Sequence, residues 1–216
     1  MFRTIFITFF IAIIAASAQP FPALDFQSDT PGTFPAGWTS KNEEGMVEVY
    51  TVAKEGENLF LHADSRGNSV TIGYDKEWNI AAYPIVRWKW RAVTMPTGTN
   101  ERIKGGNDDV LGVYVVFDGW PIPNSIKYIW SETLPVGTIL SSPFSGKSKM
   151  IVIRSGKEGL GEWITEEHNV LEDYRRAFKK PDETPEARGV GILTDSDNTT
   201  TRAVGDYDDI IILQAK

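Results

Sequence analysis

In the run YPIVRWKWRA, Tyr83 to Ala92, the basic residues Arg87, Lys89 and Arg91 alternate with Val86, Trp88 and Trp90. Alternate side chains of a strand face opposite ways, so one face is apolar and the other is a cationic stripe. A cationic stripe in an acidic chain needs internal carboxylate partners or an anionic or hydroxyl-rich ligand. Arginine suits either role, because its guanidinium donates forked hydrogen bonds to oxygen. Asp108 and Asp109, which follow Gly105, Gly106 and Asn107 into VLGVYVVF, are the evident partner candidates. One of them could work as a general acid/base or contact a ligand beside Arg91. The plainer reading is an ion pair with Arg87, Lys89 or Arg91 within the fold.

A second group lies in GILTDSDNTT, where Asp195, Asp197 and Asn198 follow a strand-like run. Spaced carboxylates with an amide oxygen suit a hard cation such as calcium, here in a structural role. As an EF-hand loop the segment fails, since Thr200 stands where the turn glycine belongs and Asp206 replaces the bidentate Glu. A polar turn capped by its own side chains is the simpler alternative. Aromatic residues with neighbouring carboxylates, as in sugar-binding clefts, occur in IKYIWSETL (Tyr128, Trp130, Glu132) and GEWITEEH (Trp163). Core packing is the commoner use of any one tryptophan, but Trp130 and Trp163 adjoin loops. His168 is expected at a helix start as a hydrogen-bonding side chain. The chain has no cysteine and two histidines, which argues against zinc, and it lacks the nucleophile-elbow, zincin and Walker motifs.

These residues are positioned by short apolar runs punctuated with Gly, Pro, Asp and Asn, the pattern of an all-β domain. Strands are expected near 46–53, 58–63, 69–74, 85–93, 110–117, 126–131, 149–155, 162–165, 189–194 and 209–213. VLGVYVVF reads as a central strand buried on both faces. One helix is expected, Val170–Phe178, with Asn169 as N-cap, Glu172 in the first turn and Pro181 beyond its end. Long loops at 94–107, 133–148 and 155–161 are places for binding function.

Residues 1–18 read as a secretory signal peptide, with Arg3, an apolar run and the small residues Ala16, Ser17 and Ala18. That leaves 19–216 as a single β-sandwich domain with no membrane span, in a periplasmic or secreted bacterial protein. The chain carries 22 Lys+Arg and 29 Asp+Glu, and losing Arg3 takes its formal charge from −7 to −8. This balance argues against nucleic acid and anionic membrane surfaces as main partners.

DFQSD, FPAGW, YPIVRWKWR, NDDVLGVYVVF, IKYIW, PVGT, MIVIRSG, EEHNVLEDYRRAF, LTDSDNT and a terminal YDDI, in that order, resemble the domain-of-unknown-function family 3047 of exported bacterial proteins. The resemblance spans the mature chain and implies export and fold, with no activity attached. Its ends also resemble carbohydrate-binding jelly rolls, whose first and last strands lie side by side and often hold a structural calcium ion. The expectation is a jelly-roll-type β-sandwich with one short helix. It binds a glycan or other polyhydroxylated envelope ligand on a face bearing Arg87, Lys89, Arg91 and Tyr128, with Trp130 and Trp163 near it. A glycoside hydrolase or polysaccharide lyase using Asp108, Asp109 or Glu132 is the catalytic alternative. A non-catalytic protein acting through a protein partner is the third.

Overall fold

The computed structural model describes residues 23–215, so the expected signal peptide lies outside the described residues. Two sheets pack face to face as a sandwich of jelly-roll type. The back sheet has five strands in the order β1 (Tyr50–Glu55), β2 (Asn58–Arg66), β11 (Arg202–Leu213), β4 (Ile85–Thr94) and β9 (Ile164–Asn169). The front sheet has six, in the order β3 (Ile72–Trp78), β10 (Ala187–Leu193), β5 (Leu111–Phe117), β6 (Ser125–Ser131), β8 (Ser145–Ser155) and β7 (Ile139–Ser142). Strands β6 and β8 pair parallel, the other neighbours antiparallel. Leu24 bridges Ile210, which lays the N-terminal segment beside the last strand as the jelly-roll expectation requires.

The alternation in β4 sends Val86, Trp88, Trp90 and Ala92 into the space between the sheets, where all are fully buried. Trp88 meets Trp90 edge-on at 5.5 Å, and Tyr128 and Trp130 of β6 close on them from the front sheet at 5.3 and 6.0 Å. Burying large rings in offset contact is the main apolar stabilisation available to this core. Tyr128 and Trp130 are therefore core residues, and the expectation that they line a binding face is corrected. Strand β5 is interior to its sheet, but Tyr114 and Val116 are not buried, unlike Leu111, Gly112, Val113, Val115 and Phe117. Its other face, with Tyr114 and Val116, is half-exposed and forms the floor of a cleft.

Helix α2 (Val170–Phe178) has the expected cap, with Asn169 Oδ1 accepting from Glu172 N at 3.1 Å. A second helix was not expected. Helix α1 (Glu43–Val49) occupies the first half of the predicted 46–53 strand, because Asn42 Oδ1 caps Gly45 N at 2.9 Å ahead of two first-turn glutamates. Strand β7 lies inside the predicted 133–148 loop and forms a hairpin with β8.

Candidate functional site

The cationic stripe lies on the outer face of the back sheet and is neutralised there. Arg91 Nε donates to Asp206 Oδ2 at 2.7 Å and Nη1 to Glu55 at 3.1 Å. Its guanidinium rests on the rings of Trp163 and Phe60, 4.7 and 5.3 Å from their centroids. The other oxygen of Asp206 meets His62 Nδ1 at 2.7 Å. Lys89 pairs with Asp209 at 2.7 Å, and Arg87 lies 3.7 Å from Glu167. Asp206, directly opposite Arg91 in β11, and the partners of Lys89 and Arg87 come from the strands flanking β4, while Glu55 reaches Arg91 from the edge strand β1. Asp108 and Asp109 enter β5, a strand of the other sheet, so neither partners the stripe. Trp163 is held as the lid of Arg91.

The chemistry gathers on the outer face of the front sheet. A cleft of about 700 Å³ runs across it, floored by Tyr114, Lys127 and Met150 and walled by Ile122 and Phe144 on one side and Asp195, Asp197 and Asn198 on the other. Register brings Tyr114 opposite Lys127, so both side chains share the cleft face. Lys127 Nζ donates to Asp109 Oδ2 at 2.5 Å and lies 5.3 Å from the Tyr114 ring centre. Burial alone would lower the Lys127 pKa, but the facing Asp109 charge outweighs it and the amine stays protonated. Burial pushes the Asp109 carboxyl up to about 6 against the pull of Lys127. Asp195 is pushed up to about 8, again mainly by burial, with Lys127 pulling it down and Asp109 and Asp108 pushing it up.

Hydrogen bonds across the sandwich fix the strand ends that carry these groups. Tyr207 of β11 donates to Leu193 O at 2.8 Å and accepts from Gly112 N at 3.2 Å. Tyr50 of β1 donates to Val70 O at 2.7 Å and accepts from Thr194 N at 3.1 Å. Asp195 N reaches Asp109 O at 3.0 Å. Asp108 organises the loop after β10: its Oδ1 accepts from Asn198 N at 3.1 Å, and Oδ2 from Thr199 N and Oγ1 at 2.7 and 2.6 Å. Asp108, Asp195 and Asp197 each then place one carboxylate oxygen within 4.8 Å of the others. The predicted grouping of Asp195, Asp197 and Asn198 gains Asp108, while the Asn198 amide donates to Asp197.

Glu132 stands apart, accepting from Thr99 N at 2.9 Å to hold the loop after β4. Lys127 and Tyr114 were missed. A lone lysine in the apolar strand SIKYIW was the available signal, since alternation puts it on the face opposite Ile126 and Tyr128.

No curated protein matches the chain. Among solved structures it is similar to the xyloglucanase domain of NopAA, a type three effector from Sinorhizobium fredii, in complex with cellobiose. Identity there is 10%, over 83% of this chain and 93% of that one, with a TM-score of 0.44. It is also similar to endoglucanase 3 of family GH12 from Trichoderma harzianum, at 11% identity over 93% and 99% of the chains and a TM-score of 0.41. The mannan-recognising carbohydrate-binding module TmCBM27 gives 12%, 91% and 97%, and 0.40. These likenesses concern the fold alone. The family model described as "Protein of unknown function (DUF3047)" matches residues 36–211, and the chain belongs to that family.

Proposed function

We propose that this is an exported protein that holds a glycan, or another polyhydroxylated envelope ligand, in the cleft of the front sheet. The composition of the cleft carries the reading. Its floor and one wall offer hydrogen-bonding groups, Ser125, Asn107, Asp195 and Asp197, while Ile122, Pro123 and Phe144 give it an apolar flank. Phe144 is 58% exposed, a large ring left uncovered at the rim. Sugars present both hydroxyls and apolar ring faces, so they need donors and acceptors beside a stacking surface, and the volume suits a small-ligand site.

Binding without turnover is favoured by where the carboxylates lie. A glycosidase flanks the scissile bond with two carboxyl groups, about 5–5.5 Å apart when retaining and about 6.5–9.5 Å when inverting. Here Asp108, Asp195 and Asp197 crowd together along one wall, one oxygen of each within 4.8 Å of the others, so no sugar fits between them, and Asp75 of β3 is the cleft's remaining carboxylate.

The test is affinity electrophoresis and calorimetry against neutral and acidic polysaccharides, with Phe144→Ala and Tyr114→Ala beside the unaltered protein. Retardation by one polysaccharide class that both variants weaken at least tenfold is the expected result. Unchanged binding in both variants removes the cleft from the reading. Release of reducing or unsaturated ends on prolonged incubation would replace binding by catalysis.

A further inference from the structure

We propose that Asp108, Asp195 and Asp197 coordinate one divalent, oxygen-preferring cation of the calcium type at the acidic wall of the cleft. The spacing fits: oxygens bound to one calcium at about 2.3–2.6 Å can lie no more than about 5 Å apart, and one oxygen of each residue lies within 4.8 Å of the other two.

Crowded acids alone would not point to a ligand, but buried acceptors left without donors do. Asp195 is 3% exposed, and its Oδ1 has no hydrogen-bond partner among the described residues. Asn107, next to Asp108 and 6% exposed, lines the same cleft with its Oδ1 equally unpartnered. Native proteins rarely leave buried acceptors in this state, and an unfilled ion site is one physical reason for it. Neighbouring donors are committed elsewhere: Lys127 to Asp109, Thr199 to Asp108 and the Asn198 amide to Asp197.

The donor set selects the ion. Three carboxylates and a nearby amide oxygen are hard ligands. The chain has no cysteine, while His62 is engaged by Asp206 on the back sheet and His168 stacks on Trp88 and Tyr128. Softer metals therefore find no imidazole or thiolate ligand here. A bound cation would tie the entry of β5 to the loop after β10. With Asp195 and Asp197 lining the cleft, its free coordination positions would face a ligand's hydroxyls, and that last step rests on the glycan reading. The cation site itself does not.

The test uses metal-stripped protein and calcium chloride, with no glycan, so it succeeds or fails independently of the cleft's ligand. Calcium at a hundredfold excess over its dissociation constant should raise the melting temperature by about 5–10 °C in a protein of this size. Asp197→Asn, at an exposed position, and the near-isosteric Asp195→Asn should each abolish the shift. Glu167→Gln, on the far strand of the back sheet, should keep it. The proposal is overturned if calcium up to ~10 mM, beyond the range of weak extracellular sites, leaves the midpoint unmoved. A shift that survives in both Asn variants overturns it equally.

Discussion

Lys127 and Asp109 form a buried ion pair beneath the cleft floor, Nζ to Oδ2 at 2.5 Å, with the two residues 1% and 0% exposed. Removing one member of such a pair strands the other in a low-dielectric interior, at a cost of about 3–5 kcal/mol. Removing both avoids that penalty. Lys127→Met should therefore lower unfolding stability by that amount, and Lys127→Met/Asp109→Asn should recover most of it. Urea denaturation of the four members of the cycle measures the coupling. Additive losses would mean that the pair does not act as a unit.

Arg91 bears on stability rather than on the ligand. It holds the buried carboxylate of Asp206, contacts Glu55 and supports the Trp163 and Phe60 rings. Arg91→Ala should cost about 3 kcal/mol by leaving Asp206 short of its cation. Arg91→Lys should restore only part of this, because a lysine reproduces neither the fork nor the stacked plane. Glycan retention in the cleft of the opposite sheet should be unchanged in folded Arg91→Ala. Loss of binding at unchanged stability would return the stripe to the functional site.

The division between these two sites shows what local pattern can and cannot determine. Alternation in YPIVRWKWRA correctly sent Trp88 and Trp90 inward and the basic residues outward, because period-two geometry is a property of the strand alone. The Asn169 cap was legible for the same reason, as was the helix it starts. Which carboxylate meets Arg91 is a matter of sheet order. Asp206 is 115 residues away in sequence and Asp109 only 18, yet β11 lies beside β4 and β5 does not. In β6 the aromatic pattern points to Tyr128, one residue from Lys127, and a single-residue step crosses from core to cleft. Strand β11 starts at Arg202 rather than at the expected 209, since the outward acids of GDYDDI find cations on β4 only after the sheet is assembled.

Asp208 gives the fold a dependence on pH. Burial pushes its carboxyl up to about 6, with Asp209 adding repulsion, while the Asn58 amide at 2.9 Å and the Lys89 charge act against the shift. The folded state thus keeps a proton that the unfolded chain releases near pH 4. The associated stability is complete below that pH and is lost as pH rises through about 6. Asp208→Asn removes the charge, but its one oxygen can serve only one of the two donors that Asp208 accepts from, the Asn58 amide at 2.9 Å and Asp209 N at 2.8 Å. The gain at pH 7 from the removed charge, on the order of 2 kcal/mol, is therefore offset by a lost hydrogen bond of about 1 kcal/mol, and the variant's advantage over the unaltered protein should shrink steadily toward pH 4. Denaturation midpoints across that range test this, and a gap that widens on acidification would reverse the sign of the argument.

Gly112 offers a way to disturb the cleft floor without touching a charge. It lies in β5 opposite Ile129, and a methyl group added there would sit 2.5 Å from Lys127 Cε, 2.9 Å from Asp109 Oδ1 and 3.2 Å from the Leu193 carbonyl. The lysine cannot simply swing aside, because its ammonium is held by Asp109 and its stem is buried. The Leu193 carbonyl is also fixed, since Tyr207 donates to it. Gly112→Ala should therefore cost about 1–3 kcal/mol, the usual range for overpacking, despite the better intrinsic preference of alanine for ordered backbone. Relief should come from the one flexible neighbour: in Gly112→Ala/Lys127→Met, the lost ion pair and the methyl clash should be less than additive, because both act on the same side chain. Full additivity in urea denaturation would mean that the methyl group is accommodated by the backbone of β10 instead, and that Lys127 is not what sets the space beneath the cleft.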